Sequence, residues 1–234
     1  MKRLVILSLA LMVFACQNQT EELPFIKVEQ FGDYNALIFK GDKSPKVDLL
    51  EYKNLKHFYA IGALEERRGY FLVLNSKIYN GVQEDIDLNL DNSFQNNASF
   101  LVSSVVEEWL SLEIPNSITD SNTLERFIKE AAEENEIDTN LPFPFLITGK
   151  VSQIDWHILR QAGSISSEQK AKGKLINESV EILGFFNSDN TLGIALGDKQ
   201  INMHFKNSDT TVIGHIDDWV PGRNMKLQLP LKSF

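Results

Sequence analysis

The sequence contains a single cysteine, Cys16, so a disulfide cannot form within the chain. Basic residues are outnumbered, because 23 Lys and Arg stand against 32 Asp and Glu and give a net charge of -9. This balance opposes binding to phosphate backbones and argues against nucleic acid as a partner. No basic cluster follows Cys16 that would attract the chain to anionic lipid. No apolar run reaches the roughly 20 residues that a transmembrane helix needs.

The N-terminus has the pattern of a secretory signal peptide. A basic head, Met1–Arg3, precedes a short apolar run from Leu4 to Ala15. The segment Val13–Cys16 resembles the lipobox of bacterial lipoproteins, in which a small residue precedes the cysteine that receives the lipid. A lone cysteine in an exported chain is consistent with that use. The alternative is an ordinary secreted protein that is cleaved nearby and whose cysteine is incidental.

These features predict three segments. Residues 1–15 form the signal peptide, residues 16–23 form the lipidated cysteine and a polar tether, and residues 24–234 form the globular body. We expect Cys16 to bind membrane lipid, which places the body in the bacterial cell envelope, on the periplasmic side or at the cell surface. The body has about 210 residues, enough for one sizeable core.

Hydrophobic patterning in the body predicts many short strands. Apolar clusters bounded by Gly, Asn, Asp and Ser indicate strands and turns. The predicted strands are Phe25–Glu29, Ala36–Phe39, Tyr70–Leu74, Ile78–Tyr79, Ala98–Trp109, Phe143–Ile158 with an interruption at Gly149, Val180–Phe186, Gln200–Phe205, Thr211–Ile216 and Met225–Leu231. By period alone Ala98–Trp109 could also be a short helix. Turns are predicted at Gly32–Asn35 and Asn75–Lys77. The polar stretch Ser164–Gly173 is predicted to be an exposed loop or a short helix.

One segment is predicted to be a clear helix. Between Thr123 and Glu136, the apolar residues fall on one face at helical spacing. Asn122 is placed to cap its start, and Glu125 completes a box-like arrangement three residues later. Many strands with one good helix indicate an α+β body with antiparallel or mixed sheets.

The residues of greatest chemical interest lie on a predicted hairpin. Alternation along Ile201–Phe205 separates an apolar face from a polar face. With the turn at residues 207–210, residue 204 faces residue 215 and residue 202 faces residue 217. Two imidazoles and a carboxylate on one face could bind zinc, although a polar face turned to solvent has the same alternation. The candidate metal ligands are Asn202, His204, His215 and Asp217.

The hairpin resembles that of alpha-acetolactate decarboxylase, in which a His-x-His-Phe segment and a later Gly-His supply three zinc ligands. His204-Phe205 and Gly214-His215 match this pattern. Asn202 stands where the family has its first histidine. The resemblance therefore implies a zinc site of this kind, with one ligand changed.

Further segments resemble the same family in the same order, across most of residues 45–220. They are Tyr59–Tyr79, in which Gly62, Gly69, Lys77 and Tyr79 coincide with the family's glycines and its Gly-Lys-x-Tyr turn, then Phe145–Val151 and Leu183–Phe186. The resemblance implies the family's two-sheet architecture. Family members are often dimers, so it also implies a homodimer.

The residues that differ from the family lie at positions where the resemblance implies active-site groups. Tyr70 replaces the family's glutamate, Ala63 replaces its threonine, and His157 falls near its arginine. No glutamate occurs in Gln228–Phe234, where the family has another active-site carboxylate. The family's reaction uses zinc to stabilise an enediolate while an acid delivers a proton. Joint loss of these groups implies little remaining activity.

Three functional hypotheses follow. The leading one is a diverged, non-catalytic envelope lipoprotein that acts as a binding or interaction module. The first alternative is a zinc-dependent lyase that converts 2-acetolactate, or a related branched 2-hydroxy-3-oxo acid, to acetoin. The second alternative is a structural envelope lipoprotein.

In the lyase hypothesis, a small keto or hydroxy acid is the partner and zinc is the cofactor. His204 and His215 would be ligands, and Asp217 could replace the missing one. His157 could enter the same cleft, which would give a His-His-Asp or a three-His site. His157 and Tyr70 are the candidate catalytic residues.

Overall fold

The computed structural model describes residues 26–84, 87–160, 171–189 and 192–231. The predicted signal peptide, Cys16 and the tether lie outside the described residues, as does most of the predicted loop or helix at Ser164–Gly173. None of the helices in the described part of the chain is long and apolar enough to cross a membrane.

The first half of the chain forms an antiparallel sheet of seven strands, sheet A. Its strands are β1 (Val28–Phe31), β2 (Val47–Asp48), β3 (Phe58–Leu64), β4 (Gly69–Leu74), β5 (Lys77–Glu84), β6 (Asp87–Asp91) and β7 (Asn97–Val105). Their order in space is β1-β7-β3-β4-β5-β6, and β2 pairs with the start of β7. The strand predicted within Ala98–Trp109 and the hairpin at the Asn75-Ser76 turn are confirmed.

The second half forms an antiparallel sheet of eight strands, sheet B. Its strands are β8 (Trp109–Glu113), β9 (Phe143–Lys150), β10 (Gln153–Ile158), β11 (Ala171–Ile176), β12 (Ser179–Phe186), β13 (Ile201–Asn207), β14 (Ile213–Val220) and β15 (Lys226–Pro230). Their order is β11-β10-β14-β13-β12-β9-β15-β8. The predicted interruption at Gly149 is misplaced, because β9 continues through Gly149, which pairs with Val180, and the break between β9 and β10 falls at residues 151–152. The φ of Gly149, 137°, lies in a region that favours glycine.

The predicted helix is present as α1 (Ser121–Glu134), but its cap is not the predicted one. The carboxylate of Asp120 accepts a hydrogen bond from the backbone N–H of Thr123 at 2.9 Å, and the Thr123 hydroxyl accepts one from the Asp120 N–H at 3.2 Å. This capping box begins two residues before Asn122, so Asn122 lies inside the helix. Both Asp and Asn favour N-cap positions, and the sequence pattern did not distinguish them.

The strand predicted at Ala36–Phe39 is wrong. Residues Ala36–Lys40 form a short π-helical turn that ends at Gly41, whose φ is 72°. Asp33 initiates this turn, because its side chain accepts hydrogen bonds from the backbone N–H groups of Asn35 and Ala36. A side-chain acceptor at such a position favours a helical start over an extended one. The turn brings Tyr34 and Leu37 into the core.

The buried apolar residues form three layers. The central layer lies between the sheets, where Leu72 of β4 packs in the same cluster as Leu183 of β12. A second layer lies between sheet B and α1, and it contains Leu124 and Ile128. A third layer covers the other face of sheet A and includes Phe71. The α+β class with two antiparallel sheets is therefore confirmed.

The direction of the side chains on β13 decides where the site lies. Ile201, Met203 and Phe205 belong to the layer beneath α1. Because side chains alternate along a strand, Asn202 and His204 point to the opposite face, towards sheet A. The polar face of the predicted hairpin therefore lies between the two sheets.

Candidate functional site

The polar face of the hairpin is buried. Asn202 and His204 are each 1% exposed, and His215 is 7% exposed. The alternative of a polar strand face turned to solvent is therefore wrong. A buried polar group costs free energy unless it has a partner, so each of these side chains requires an account of its hydrogen bonds.

Three imidazoles lie side by side across sheet B. His204 of β13 is the direct cross-strand partner of His215 of β14, as predicted. His157 of β10 is the cross-strand partner of His215 on the other side. The ring centroids of His204 and His215 are 5.6 Å apart, and those of His157 and His215 are 5.0 Å apart. His157 thus joins the cleft.

Tyr70 reaches these imidazoles from sheet A. It lies on β4, where alternation directs Tyr70 and Leu72 towards sheet B. The centroid of its ring lies 4.6 Å from that of His204, 5.5 Å from that of His157 and 5.9 Å from that of His215. The phenol therefore fills the space that the three imidazoles share.

A chain of hydrogen bonds leads from this buried phenol to the surface. The Tyr34 and Tyr70 hydroxyl oxygens are 2.6 Å apart, and the Tyr70 hydroxyl lies 3.1 Å from Nε2 of His157. Nδ1 of His157 lies 2.7 Å from the carboxylate of Asp217, whose side chain is 40% exposed. Because a carboxylate only accepts, His157 donates from Nδ1, and a neutral ring then accepts from Tyr70 at Nε2.

The two tyrosines hold their protons. Burial raises the pKa of Tyr34 and Tyr70 above the usual value for a phenol, and the nearby Asp217 carboxylate adds to the rise in both. Each hydroxyl is therefore a neutral donor and acceptor at neutral pH. The centre of the site holds no phenolate that could act as a nucleophile or a strong base.

His204 has a defined tautomer. Its Nδ1–H donates to the backbone carbonyl oxygen of Phe71 at 3.0 Å, because a carbonyl only accepts. Burial lowers the pKa of His204 to about 3, and burial together with the neighbouring His157 lowers the pKa of His215. Both rings are therefore neutral at neutral pH, and Nε2 of His204 carries a free lone pair.

Three buried side-chain atoms of the hairpin face have no hydrogen-bond partner among the described residues. They are Oδ1 of Asn202, Nε2 of His204 and Nδ1 of His215. The Asn202 amide is held at its other end, because its Nδ2 donates to the carbonyl oxygen of Ile194 at 2.7 Å. Unpaired atoms of this kind require an explanation, and a bound ion or water is one of those available.

A group of three residues could hold a metal ion. One ligand atom from each of His157, His215 and Asp217 lies within 4.8 Å of the other two. Asn202 and His204, the other predicted ligands, lie on the same inward face of sheet B but outside this group. The predicted ligands are thus divided between a deep pair and a group near the solvent.

Of two cavities in the structure, one touches the possible metal-binding group and the other lies away from it. A cavity of about 80 Å³ lies beside His215 and Asp217. A larger one of about 350 Å³ lies elsewhere between the sheets, and its lining includes Tyr59, Lys77, Tyr79, Thr148, Glu181 and Gln228. Sites for small ligands usually enclose about 300–1,000 Å³, so only the larger of these two has that capacity.

Comparison with solved structures accounts for this arrangement of two sheets. The alpha-acetolactate decarboxylases of Bacillus subtilis strain 168 and of Bacillus subtilis subspecies spizizenii superpose with TM-scores of 0.67 and 0.68, each at 15% identity over 88% of this chain and 86% of the other. A Staphylococcus aureus protein of unknown function, described as similar to alpha-acetolactate decarboxylase, gives 0.65 at 16% identity over 86% and 84%. This chain has the alpha-acetolactate decarboxylase fold. No protein-family model and no curated protein matches its sequence.

Within the acetolactate decarboxylase fold, two of the departures are neighbours. Ala63 of β3 and Tyr70 of β4 are direct cross-strand partners, and both are fully buried. The small side chain of Ala63 leaves room for the large one of Tyr70, so the two changes are compatible in volume. The tail for which the resemblance implies a further carboxylate begins within β15, and its last residues, 232–234, lie outside the described residues.

Sequence reasoning missed Tyr34, the residue that completes the cluster on the side of sheet A. Its ring stacks on His215 at 5.7 Å and lies 5.2 Å from the ring of Phe100. Tyr34 sits in a Gly-Asp-Tyr-Asn segment that was predicted to be a turn. A tyrosine in a polar turn was the available signal, but its burial depends on a contact with Gly193, whose carbonyl oxygen accepts from the Tyr34 N–H.

Proposed function

We propose that this protein is an envelope-anchored binding module with the acetolactate decarboxylase fold and without decarboxylase activity. The observation that carries the proposal is the position of Tyr70. Its ring fills the space among His157, His204 and His215, and its hydroxyl is engaged on both sides. A substrate could reach His204 only if Tyr70 left its place in the core.

The charges at the site also argue against turnover. Arg67 is a positive group that acts on Tyr34 and Tyr70, but decarboxylation of this kind also needs an acid placed at the reacting carbon. Tyr70 stays protonated, and His204 and His215 stay neutral. Missing electrostatic and acid–base groups each cost on the order of a hundred-fold in rate, so their joint loss leaves little catalysis.

A binding role has support elsewhere in the fold. The cavity of about 350 Å³ between the sheets is large enough for a small molecule. Its lining combines the aromatic rings of Tyr59 and Tyr79 with Lys77 and Glu181, so it offers apolar area and both signs of charge. The lipobox-like segment that ends at Cys16 supports an anchor on a membrane surface.

A second candidate is a zinc-dependent decarboxylase with His204 and His215 as ligands. Their unpartnered ring nitrogens favour it, because neutral imidazole nitrogens are ligands that zinc prefers. The hydrogen bond from Nδ1–H of His204 to the carbonyl oxygen of Phe71 also resembles the bonds that orient metal-binding histidines. Against this candidate, Tyr70 packs against both rings.

The deciding experiment measures acetoin formed from 2-acetolactate by the full chain in detergent with added zinc. A blank without protein corrects for spontaneous decarboxylation, and the Bacillus subtilis enzyme is the positive control. We expect acetoin at the level of the blank while far-UV circular dichroism shows a folded protein. Acetoin well above the blank that disappears in His204→Ala would overturn the proposal and establish the second candidate.

A further inference from the structure

We propose that His157, His215 and Asp217 bind one divalent metal ion of the zinc type at the solvent-facing edge of the site. This set differs from the one that the family resemblance implies, since it shares only His215 with that set. It goes beyond the proposed function, because the metal site stands whether or not the protein turns over a substrate.

The backbone places the three residues on two paired strands. His157 on β10 and His215 on β14 are direct cross-strand partners, and Asp217 lies two residues further along β14. The register of the two strands shifts at this point, so that Asp217 is an extra residue on β14, and its carboxylate reaches the side of the sheet where His157 lies, 2.7 Å from Nδ1 of that ring. The two imidazole rings stack at 5.0 Å, and the three ligand atoms lie within 4.8 Å of one another.

The ligand chemistry suits zinc. Two neutral imidazoles and one carboxylate are a usual set of three protein ligands, and such sites leave the fourth position open. The cavity of about 80 Å³ is lined by His215 and Asp217, so it offers this fourth position a path to solvent. The same cavity is lined by Glu125 and Lys199, so groups of both charges surround its opening.

The surroundings orient the ligands. Metal-binding histidines commonly use their second ring nitrogen for a hydrogen bond that fixes the ring. Here the Tyr70 hydroxyl lies 3.1 Å from Nε2 of His157, and Tyr34 supports Tyr70 in turn. Nδ1 of His157, which now lies 2.7 Å from the Asp217 carboxylate, is then the ligand atom. On metal binding the ring proton of the neutral imidazole moves from Nδ1 to Nε2, from which it donates to the Tyr70 hydroxyl.

The test measures zinc affinity of the full chain in detergent, after treatment with EDTA, by competition with a chromogenic chelator. We expect one zinc per chain. Asp217→Asn should weaken binding at least ten-fold, because it removes a charged ligand from an exposed position that does not hold the core. The matched control is Asp218→Asn, which makes the same change in charge one residue away and keeps the acceptor for the Trp219 N–H.

A third variant separates the proposed set from the deeper one. His204→Asn removes the free Nε2 but keeps an N–H that can donate to the Phe71 carbonyl oxygen, and we expect it to keep its zinc affinity. If His204→Asn loses zinc and Asp217→Asn does not, the metal lies among the deep residues and the inference is wrong. A folded wild-type chain that binds no zinc also overturns it. If Asp217→Asn does not fold, His157→Gln removes another proposed ligand, on β10, and should also weaken zinc binding.

The two proposals fail in different ways. Zinc bound without acetoin agrees with both. Zinc bound through Asp217 with acetoin formed overturns the non-catalytic role and leaves the metal site intact. Neither zinc nor acetoin leaves the binding module standing and removes the metal site.

Discussion

The hydroxyl oxygen of Tyr70 and Nε2 of His157 lie 3.1 Å apart, and this hydrogen bond joins sheet A to sheet B at the centre of the site. Both residues stand at or near positions where the resemblance to acetolactate decarboxylase implies charged groups, a glutamate and an arginine. A phenol and an imidazole now meet there. The two positions still face each other across the sheets, but their contact fills the pocket.

The Tyr70 hydroxyl should contribute to stability beyond its packing. Tyr70→Phe keeps the ring and leaves the Tyr34 hydroxyl and His157 Nε2 without their shared partner. Leaving buried polar groups unpaired costs about 1–3 kcal/mol, so we expect a loss of that size in the free energy of unfolding. Urea denaturation measures it. Tyr34→Phe, which removes only the end of the chain of hydrogen bonds, should cost less, and a wild-type midpoint for Tyr70→Phe would contradict the prediction.

The free energy of unfolding should depend on the combined volume of the side chains at positions 63 and 70. Ala63→Thr introduces the residue that the family resemblance implies, but it adds a methyl and a hydroxyl group to a fully buried position opposite Tyr70. Overpacking typically costs about 1–3 kcal/mol. In a Tyr70→Ala background the same substitution should cost less, since the ring that opposes it is gone. A double-mutant cycle in urea measures the coupling, and a coupling of zero would show that the two positions are independent.

The buried imidazoles should make stability depend on pH. Burial lowers the pKa of His204 from 6.5 to about 3 and lowers that of His215 as well. Between these values the unfolded chain binds more protons than the folded one, so stability is complete above pH 6.5 and is lost as the pH falls towards about 3. Each such histidine contributes a slope of up to about 1.4 kcal/mol per pH unit.

The measurement is urea unfolding across this pH interval with a chelator present. Carboxylates whose pKa is lowered in the folded state give a slope of the same sign, so the wild type alone does not isolate the histidines. His204→Asn removes one titrating ring and should have a shallower dependence than the wild type. Parallel curves for the two proteins would show that His204 does not contribute.

The cap of α1 is the simplest test of the local structure. Asp120→Ala removes the acceptor for the Thr123 N–H and should lower the urea midpoint. Asn122→Ala should leave the midpoint nearly unchanged, because Asn122 lies inside the helix and alanine is the better helix former. The opposite order of effects would place the cap at Asn122.

Much of the local structure follows from the sequence. The apolar spacing in 123–136 predicts α1, and alternation with a turn near residues 207–210 predicts the register in which His204 faces His215. These features depend on neighbouring residues, whose spacing decides which side chains share a face. The errors are also local: an Asp33 cap turns Ala36–Lys40 into a helical turn, and Asp120 precedes the expected cap.

The sequence by itself determined which polar residues share a face of the hairpin, and only the tertiary structure decided that this face is buried. The decision rests on contacts such as that between Nδ1 of His204 and the carbonyl oxygen of Phe71, which are 133 residues apart in the chain. Periodicity has the same form whether a polar face meets water or another sheet. The packing of sheet A on sheet B therefore places Tyr70 and Tyr34 among the histidines, and no local pattern specifies that packing.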